Sequence, residues 1–175
     1  MQEKGITFYE GIRVGEDFPF NAECLAARGR VMYIEKALYI RNLRSGSLVH
    51  MYYPQVLDNE RKLMGYMTGR LAGERGDERM EKALIKRCTE NLFSMAEYDM
   101  GHPDNPGSVW EGARALRRMA REEPYKSAVR MCPLRWLRGK RERLGIALIR
   151  LGMEEACVTI MRLVARYKRK RGTAL

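Results

Sequence analysis

No run of apolar residues in this chain approaches the ~20 that a membrane-spanning helix needs. The opening MQEKGITFYEG has no apolar signal core either. Histidine is nearly missing: His50 and His102 are the only two, and neither has a second ligand at metal spacing. The four cysteines, Cys24, Cys88, Cys132 and Cys157, lie far apart and form no C-x-x-C pair. Zinc and dithiol redox sites are therefore excluded, and buried reduced thiols are expected instead. His102, in the stretch GHPDNPG, is expected to be a solvated loop residue. There is no internal repeat and no low-complexity segment. These absences predict a cytoplasmic protein.

What is present is a soluble, foldable composition: 175 residues, 45% hydrophobic and 31% charged, enough for one globular unit or one domain with an appendage. The net charge of +11 is unevenly spread. Up to Ala113 there are 15 basic and 17 acidic residues; from Arg114 to Leu175 there are 18 and 5. A near-neutral front thus precedes a basic tail. That asymmetry suggests an anionic partner for the tail, and a bilayer surface, nucleic acid or another polyanion all satisfy it.

The spacing predicts an α+β chain that is mostly helical. A first helix starts near Glu16 or Asp17, with Pro19 in its first turn, Phe20, Cys24 and Ala27 at helical spacing, and Gly29 as its stop. Val31 and Tyr33, then Ala37 and Tyr39, read as one or two short strands, closed by a turn at RSGS. Beyond about Tyr52, five or six helices follow. Leu57, Leu63, Met64, Met67 and Leu71 form one apolar stripe, and Asp77 caps a second helix carrying Met80, Leu84, Cys88, Leu92 and Met95. After GHPDNPG, Ser108 and Glu111 make a capping box for a helix with Trp110, Ala113, Leu116 and Met119 on one face. In the tail, Trp136, Leu137, Leu144, Leu148 and Leu151 form a stripe among arginines. Gly152 followed by Glu154 and Glu155 separates it from a last helix with Cys157, Ile160, Met161 and Val164.

The most informative stretch runs from Ile6 to Met51. It contains, in order, Phe8, Glu10, Gly11, Ile12, Glu16, Asp17, Phe20, Leu25, then Leu38, Tyr39, and finally Arg44, Gly46 and Ser47. This set resembles the C-terminal half of the catalytic domain of family 2 glycosyltransferases of GT-A type. There an F-x-E-G-I-x-x-x-E-D-x-x-F-x-x-x-x-L pattern precedes a helix, a strand ending in L-Y and an R-x-G-S turn.

The resemblance implies a Rossmann-like catalytic remnant over residues 1–51, a helical extension over 52–131 and a basic amphipathic tail over 132–175. It implies that Asp17 is the base of an inverting sugar transfer, taking the acceptor hydroxyl proton. Glu16 beside it sits at the same helix start, where backbone N–H groups and the helix dipole stabilise carboxylate charge and help to hold Asp17 ionised. Arg44, Ser47 and Arg41 are the candidates for contacting the donor diphosphate, which gains negative charge as it leaves. The family's V-I-V-P-x-Y-N strand and its D-D-G-S and D-x-D or D-S-D-D motifs do not occur in the sequence. The Mg²⁺ or Mn²⁺ of the complete enzyme is therefore not expected to be bound by this chain. The implied activity is one part of a hexosyltransferase building surface polysaccharide from a nucleotide-sugar donor and a glycan or lipid-linked acceptor.

For residues 133–171 the expected occupant is an anionic membrane face, with the enzyme peripheral on the inner side; packing of the stripe on neighbouring helices is the other account. Nucleic acid is disfavoured because aromatic residues are not interleaved with the Arg and Lys as stacking requires. Strands around Val31 and Tyr39 without sheet neighbours would leave exposed edges, and so predict homo-association.

Overall fold

The computed structural model describes residues 6–12, 14–27, 32–40, 52–70 and 78–171. Seven α-helices occur among them: α1 (Asp17–Ala26), α2 (Val56–Arg70), α3 (Glu78–Met95), α4 (Val109–Arg121), α5 (Tyr125–Met131), α6 (Lys140–Arg150) and α7 (Glu154–Lys170). A π-helical turn, Ala96–Met100, continues α3, and a 3₁₀ turn, Leu134–Trp136, precedes α6. No helix among the described residues is long and apolar enough to cross a membrane.

Helix α3 forms the axis of the bundle, with α5, α6, α2 and α4 packed around it, while α4 also lies along α7. The Cys88, Leu92 and Met95 stripe of α3 enters the main core, where it meets Met64 of α2, Leu116 and Met119 of α4, Tyr125 of α5, Ile146 of α6 and Cys157, Val158 and Met161 of α7. Fully burying one such side chain contributes about 1.5–3 kcal/mol. A smaller cluster of Ile12, Leu63 and Met67, with Phe18, Ala22, Tyr66, Met80 and Leu84 against it, seats α1 on α2 and α3. Cys88, Cys132 and Cys157 are buried, Cys24 is half-buried, and none of the four is in a disulfide. Burial pushes the Cys88 thiol up to about 12 and that of Cys157 to about 11, so both stay protonated.

The helix ends follow local chemistry. Ser108 accepts from the Glu111 N–H at 3.1 Å and the Glu111 carboxylate accepts from the Ser108 N–H at 2.7 Å, which is the expected capping box of α4. At the end of α6, Gly152 takes φ +72°, its N–H donates to Ile149 O at 3.1 Å and the Met153 N–H donates to Leu148 O at 2.9 Å. This Schellman arrangement stops one helix and starts the next. Glu154 and Glu155 open α7, and Lys168, Arg169 and Lys170 close it, both favourable to the helix dipole.

The expected α+β class with a Rossmann-like remnant is corrected: every regular element among the described residues is a helix. Residues 32–40 have the strand-type composition, yet they form no ladder. Tyr33 is 87% exposed and Tyr39 84%. The physical reason is that strand propensity reports how well side chains fit a half-buried pleated surface. With no neighbouring strand among the described residues to supply one, the segment joins no ladder and bends at Lys36, whose N–H donates to Ile34 O at 2.9 Å. Val31, Gly29, Leu71 and Asp77 lie outside the described residues, so the strand at Val31, the Gly29 stop and the Asp77 cap do too.

Two smaller expectations also change. Trp110 is exposed on α4, its ring beneath the Arg114 guanidinium at 5.5 Å, and does not share the buried face of Ala113, Leu116 and Met119. In the tail stripe, Leu137 is buried and Trp136 and Leu148 pack against the core, whereas Leu144 and Leu151 face solvent.

Candidate functional site

The Glu16–Asp17 pair sits where the chain turns into α1. Gly15 has φ +80°, a left-handed conformation that a side chain would strain, and its carbonyl accepts from the Phe18 N–H at 3.2 Å. The preceding residue is gripped from α2: Asn59, buried, accepts from the Val14 N–H at 3.2 Å and donates to the Val14 carbonyl at 2.9 Å. Phe18, one residue beyond the pair, packs on the Ile12–Leu63–Met67 cluster, and the Arg87 guanidinium lies 4.5 Å over its ring.

Aromatic contacts fix both flanks. Phe8 and Phe20 stack at 4.3 Å, Tyr9 meets Tyr66 at 4.4 Å, and the Tyr66 hydroxyl donates to Glu23. Within this frame Glu16 and Asp17 are both exposed. Glu16 is the N-cap of α1 but makes no capping hydrogen bond, and neither carboxylate takes part in an ion pair among the described residues. They are positioned by their surroundings without serving them. Arg41, Arg44 and Ser47 lie outside the described residues. The described residues contain no group of three or more His, Cys, Asp and Glu able to hold a metal ion. They therefore do not fit a resident Mg²⁺ or Mn²⁺, and no step below runs through one.

A second polar constellation was not anticipated. His102 is 7% exposed, against the expected solvated loop residue. The π-helical turn brings Asp99 back under the following loop, where Asn105 Nδ2 donates to its carboxylate at 3.1 Å and to its carbonyl at 2.9 Å. The His102 Nδ1 accepts from the Asp104 N–H at 3.1 Å, and its ring lies 5.5 Å from that of Tyr52. Burial raises the Asp99 carboxyl, with Asn105 and Tyr52 acting against the rise, and burial lowers the His102 imidazole. The local signal was the density of turn-formers in GHPDNPG, which says where a helix breaks and not that the loop folds back over a helix.

This arrangement has a pH consequence. A lowered folded-state pKa means that the unfolded chain binds the proton more readily. His102 thus contributes stability that is complete above its ordinary value of 6.5 and is lost as pH falls through the lowered value. Asp99 acts oppositely at lower pH, because its raised pKa favours the protonated fold. Comparing thermal melts of the wild type with His102→Asn isolates the first effect: the variant is expected to lack the loss of stability below pH 6.5.

Two clefts mark the surface of the described residues. One, of about 560 Å³, lies between α3 and the start of α6, where Glu97 pairs with Arg141 at 2.6 Å and with Lys168 of α7 at 3.9 Å. The other, of about 540 Å³, is framed by the ends of α4 and α6, by α5 and by the start of α7, and carries Arg121, Lys126, Arg130 and Arg150. Lys126 and Arg130 lie four residues apart on α5 and so share one helix face. Neither cleft is lined by Glu16 or Asp17. No family model, curated protein or solved structure matches the chain.

Proposed function

We propose that this chain supplies the acceptor-side segment of an inverting, nucleotide-sugar-dependent glycosyltransferase, acting with a nucleotide-binding half whose motifs these 175 residues do not contain. The observation that carries the reading is the pair of exposed carboxylates, Glu16 and Asp17, held in a fixed turn by Gly15 and Asn59 and committed to no structural contact. They stand within the ordered motif set from Phe8 to Ser47 that resembles the family. The helical bundle is the part that holds this segment in place.

In the reaction, the acceptor oxygen forms a bond to the anomeric carbon as the bond from that carbon to the diphosphate oxygen breaks. The electron pair leaves on the nucleoside diphosphate. The acceptor hydroxyl proton passes to Asp17, beside Glu16 at the start of α1. Arg44 and Ser47 are assigned to the departing diphosphate, where a guanidinium and a hydroxyl offset the charge that develops. Arg41 is the second donor-side cation.

Calorimetric titration with UDP and Mn²⁺ tests the assignment. Arg44→Ala is expected to weaken UDP binding at least tenfold, and Asp17→Asn, on the acceptor side, to leave it unchanged. No binding at millimolar UDP, or binding that Arg44→Ala leaves intact, overturns the donor-side assignment.

A further inference from the structure

We infer that the basic cleft between the end of α4, α5, the end of α6 and the start of α7 docks the chain on an anionic phospholipid bilayer. This inference rests on surface chemistry alone and stands apart from the glycosyltransferase reading.

The charges of this cleft are available. Arg121, Lys126 and Arg130 are exposed and take part in no ion pair among the described residues. The cleft's one carboxylate, Glu154, is buried and held by Arg117 at 3.0 Å, with Arg117 Nε also donating to it at 3.1 Å. Arg150 is committed to the backbone: its Nε donates to Val129 O at 2.8 Å and its Nη2 to Cys132 O. It braces the cleft and is not a free charge. Three uncompensated cations therefore surround a floor of Ala120, Val129 and Ile149.

The occupant follows from what adjoins the cleft. Gly152, one of its lining residues, is flanked in the Schellman turn by Leu151 and Met153, 73% and 48% exposed. A free phosphate or nucleotide would pair with the cations and leave these aliphatic side chains in water. A single-stranded nucleic acid would call for aromatic stacking platforms, and the cleft has none among its lining residues, while a duplex held through its phosphates would also leave these aliphatic side chains in water. Cations beside protruding Leu and Met match a bilayer surface, with headgroup phosphates at the cations and aliphatic side chains inserted at the acyl boundary. The excess of 18 basic over 5 acidic residues from Arg114 onward carries the same sign.

Co-sedimentation of the full chain with phosphatidylcholine vesicles, with and without phosphatidylserine, tests the inference. Binding is expected only to the anionic vesicles. Each cation at such a surface is worth roughly a fivefold factor, so the triple variant Arg121→Gln, Lys126→Gln, Arg130→Gln should bind about 100-fold more weakly. Leu151→Ser with Met153→Ser should weaken binding while leaving every charge in place. As a charge-matched control, Arg166→Gln, Lys170→Gln, Arg171→Gln on α7 should lose much less. Unchanged helical content by circular dichroism shows that each variant is folded.

Equal losses in the two charge triples would mean diffuse attraction and overturn the site. Vesicle binding indifferent to Leu151 and Met153, and displaced by inorganic phosphate, would assign the cleft to a free anion. Duplex DNA lost by the cleft triple, in a chain that ignores vesicles, would assign it to nucleic acid. Either result overturns the bilayer.

Discussion

An Asn91→Ala variant is expected to lose about 3 kcal/mol of stability, far more than the removal of a surface amide. Asn91 is buried on α3, where its Nδ2 donates to the Glu60 carboxylate of α2 and its Oδ1 accepts from the Tyr125 hydroxyl of α5 at 3.3 Å. One side chain therefore satisfies polar groups on two other helices. Glu60 is itself buried, which raises its carboxyl above the usual range, with Asn91 and then Arg87 acting against the rise. Alanine leaves that carboxylate without its amide donor and the Tyr125 hydroxyl without its acceptor.

The pH dependence separates this from a simple cavity. The Asn91 amide favours the charged Glu60, so its contribution is present above the folded-state pKa and vanishes as acid protonates the carboxylate. The difference between wild type and variant in urea unfolding should therefore shrink as pH falls toward the ordinary glutamate value of 4.5. A double change, Glu60→Leu with Asn91→Leu, should recover part of the loss, since removing both partners leaves no orphan. A pH-independent loss would count against the account.

Gly145→Ala is the second large effect, and here two physical terms have opposite signs. Gly145 lies inside α6, where alanine is the better helix former by about 1 kcal/mol. A Cβ at this position would meet Phe93 Cε2 at 2.5 Å and Cδ2 at 2.6 Å. The Phe93 ring is 5% exposed and belongs to the core between α3 and α6, so it has little room to retreat. Overpacking of this kind costs about 1–3 kcal/mol, and a net loss is expected. Gly65→Ala and Gly69→Ala, in α2, are the comparison: nothing lies within 4 Å of a Cβ at either site. Propensity should act alone there and raise stability by up to about 1 kcal/mol. Phe93→Leu in the Gly145→Ala background should restore part of the loss by removing the ring edge. A gain in melting temperature for Gly145→Ala alone would refute the packing argument.

Much of the bundle was legible because its helices carry local signals. The Cys88–Leu92–Met95 period on α3, the Ser108–Glu111 capping box and the Gly152 stop before Glu154 each mark an element within a few residues of themselves. Among the described residues after Ser47 there are six α-helices, in line with the five or six that the pattern predicts. The features that escaped are those decided by distant partners. Strand composition at residues 32–40 says nothing about whether a second strand is at hand. His102 looked solvated because burial of a turn depends on the π-helical return of Asp99 and on Asn105 beneath it. Helix α5 went unnoticed since only seven residues, Tyr125–Met131, separate two breaks. At the candidate site, the sequence named Glu16 and Asp17 and the helix they begin. It did not name Asn59, because a side chain holding a backbone group 45 residues away leaves no trace in spacing.

That long-range hold makes the geometry of the acidic pair a property of α2. The stretch from Phe8 to Leu25 contains the whole acidic motif, but its shape is cast against a helix lying beyond the resemblance it carries. A peptide of residues 6–27 would keep every residue of that acidic motif and lose the template. Evolution could accordingly retune the angle at which Glu16 and Asp17 project from their turn by altering α2, with the motif itself unchanged.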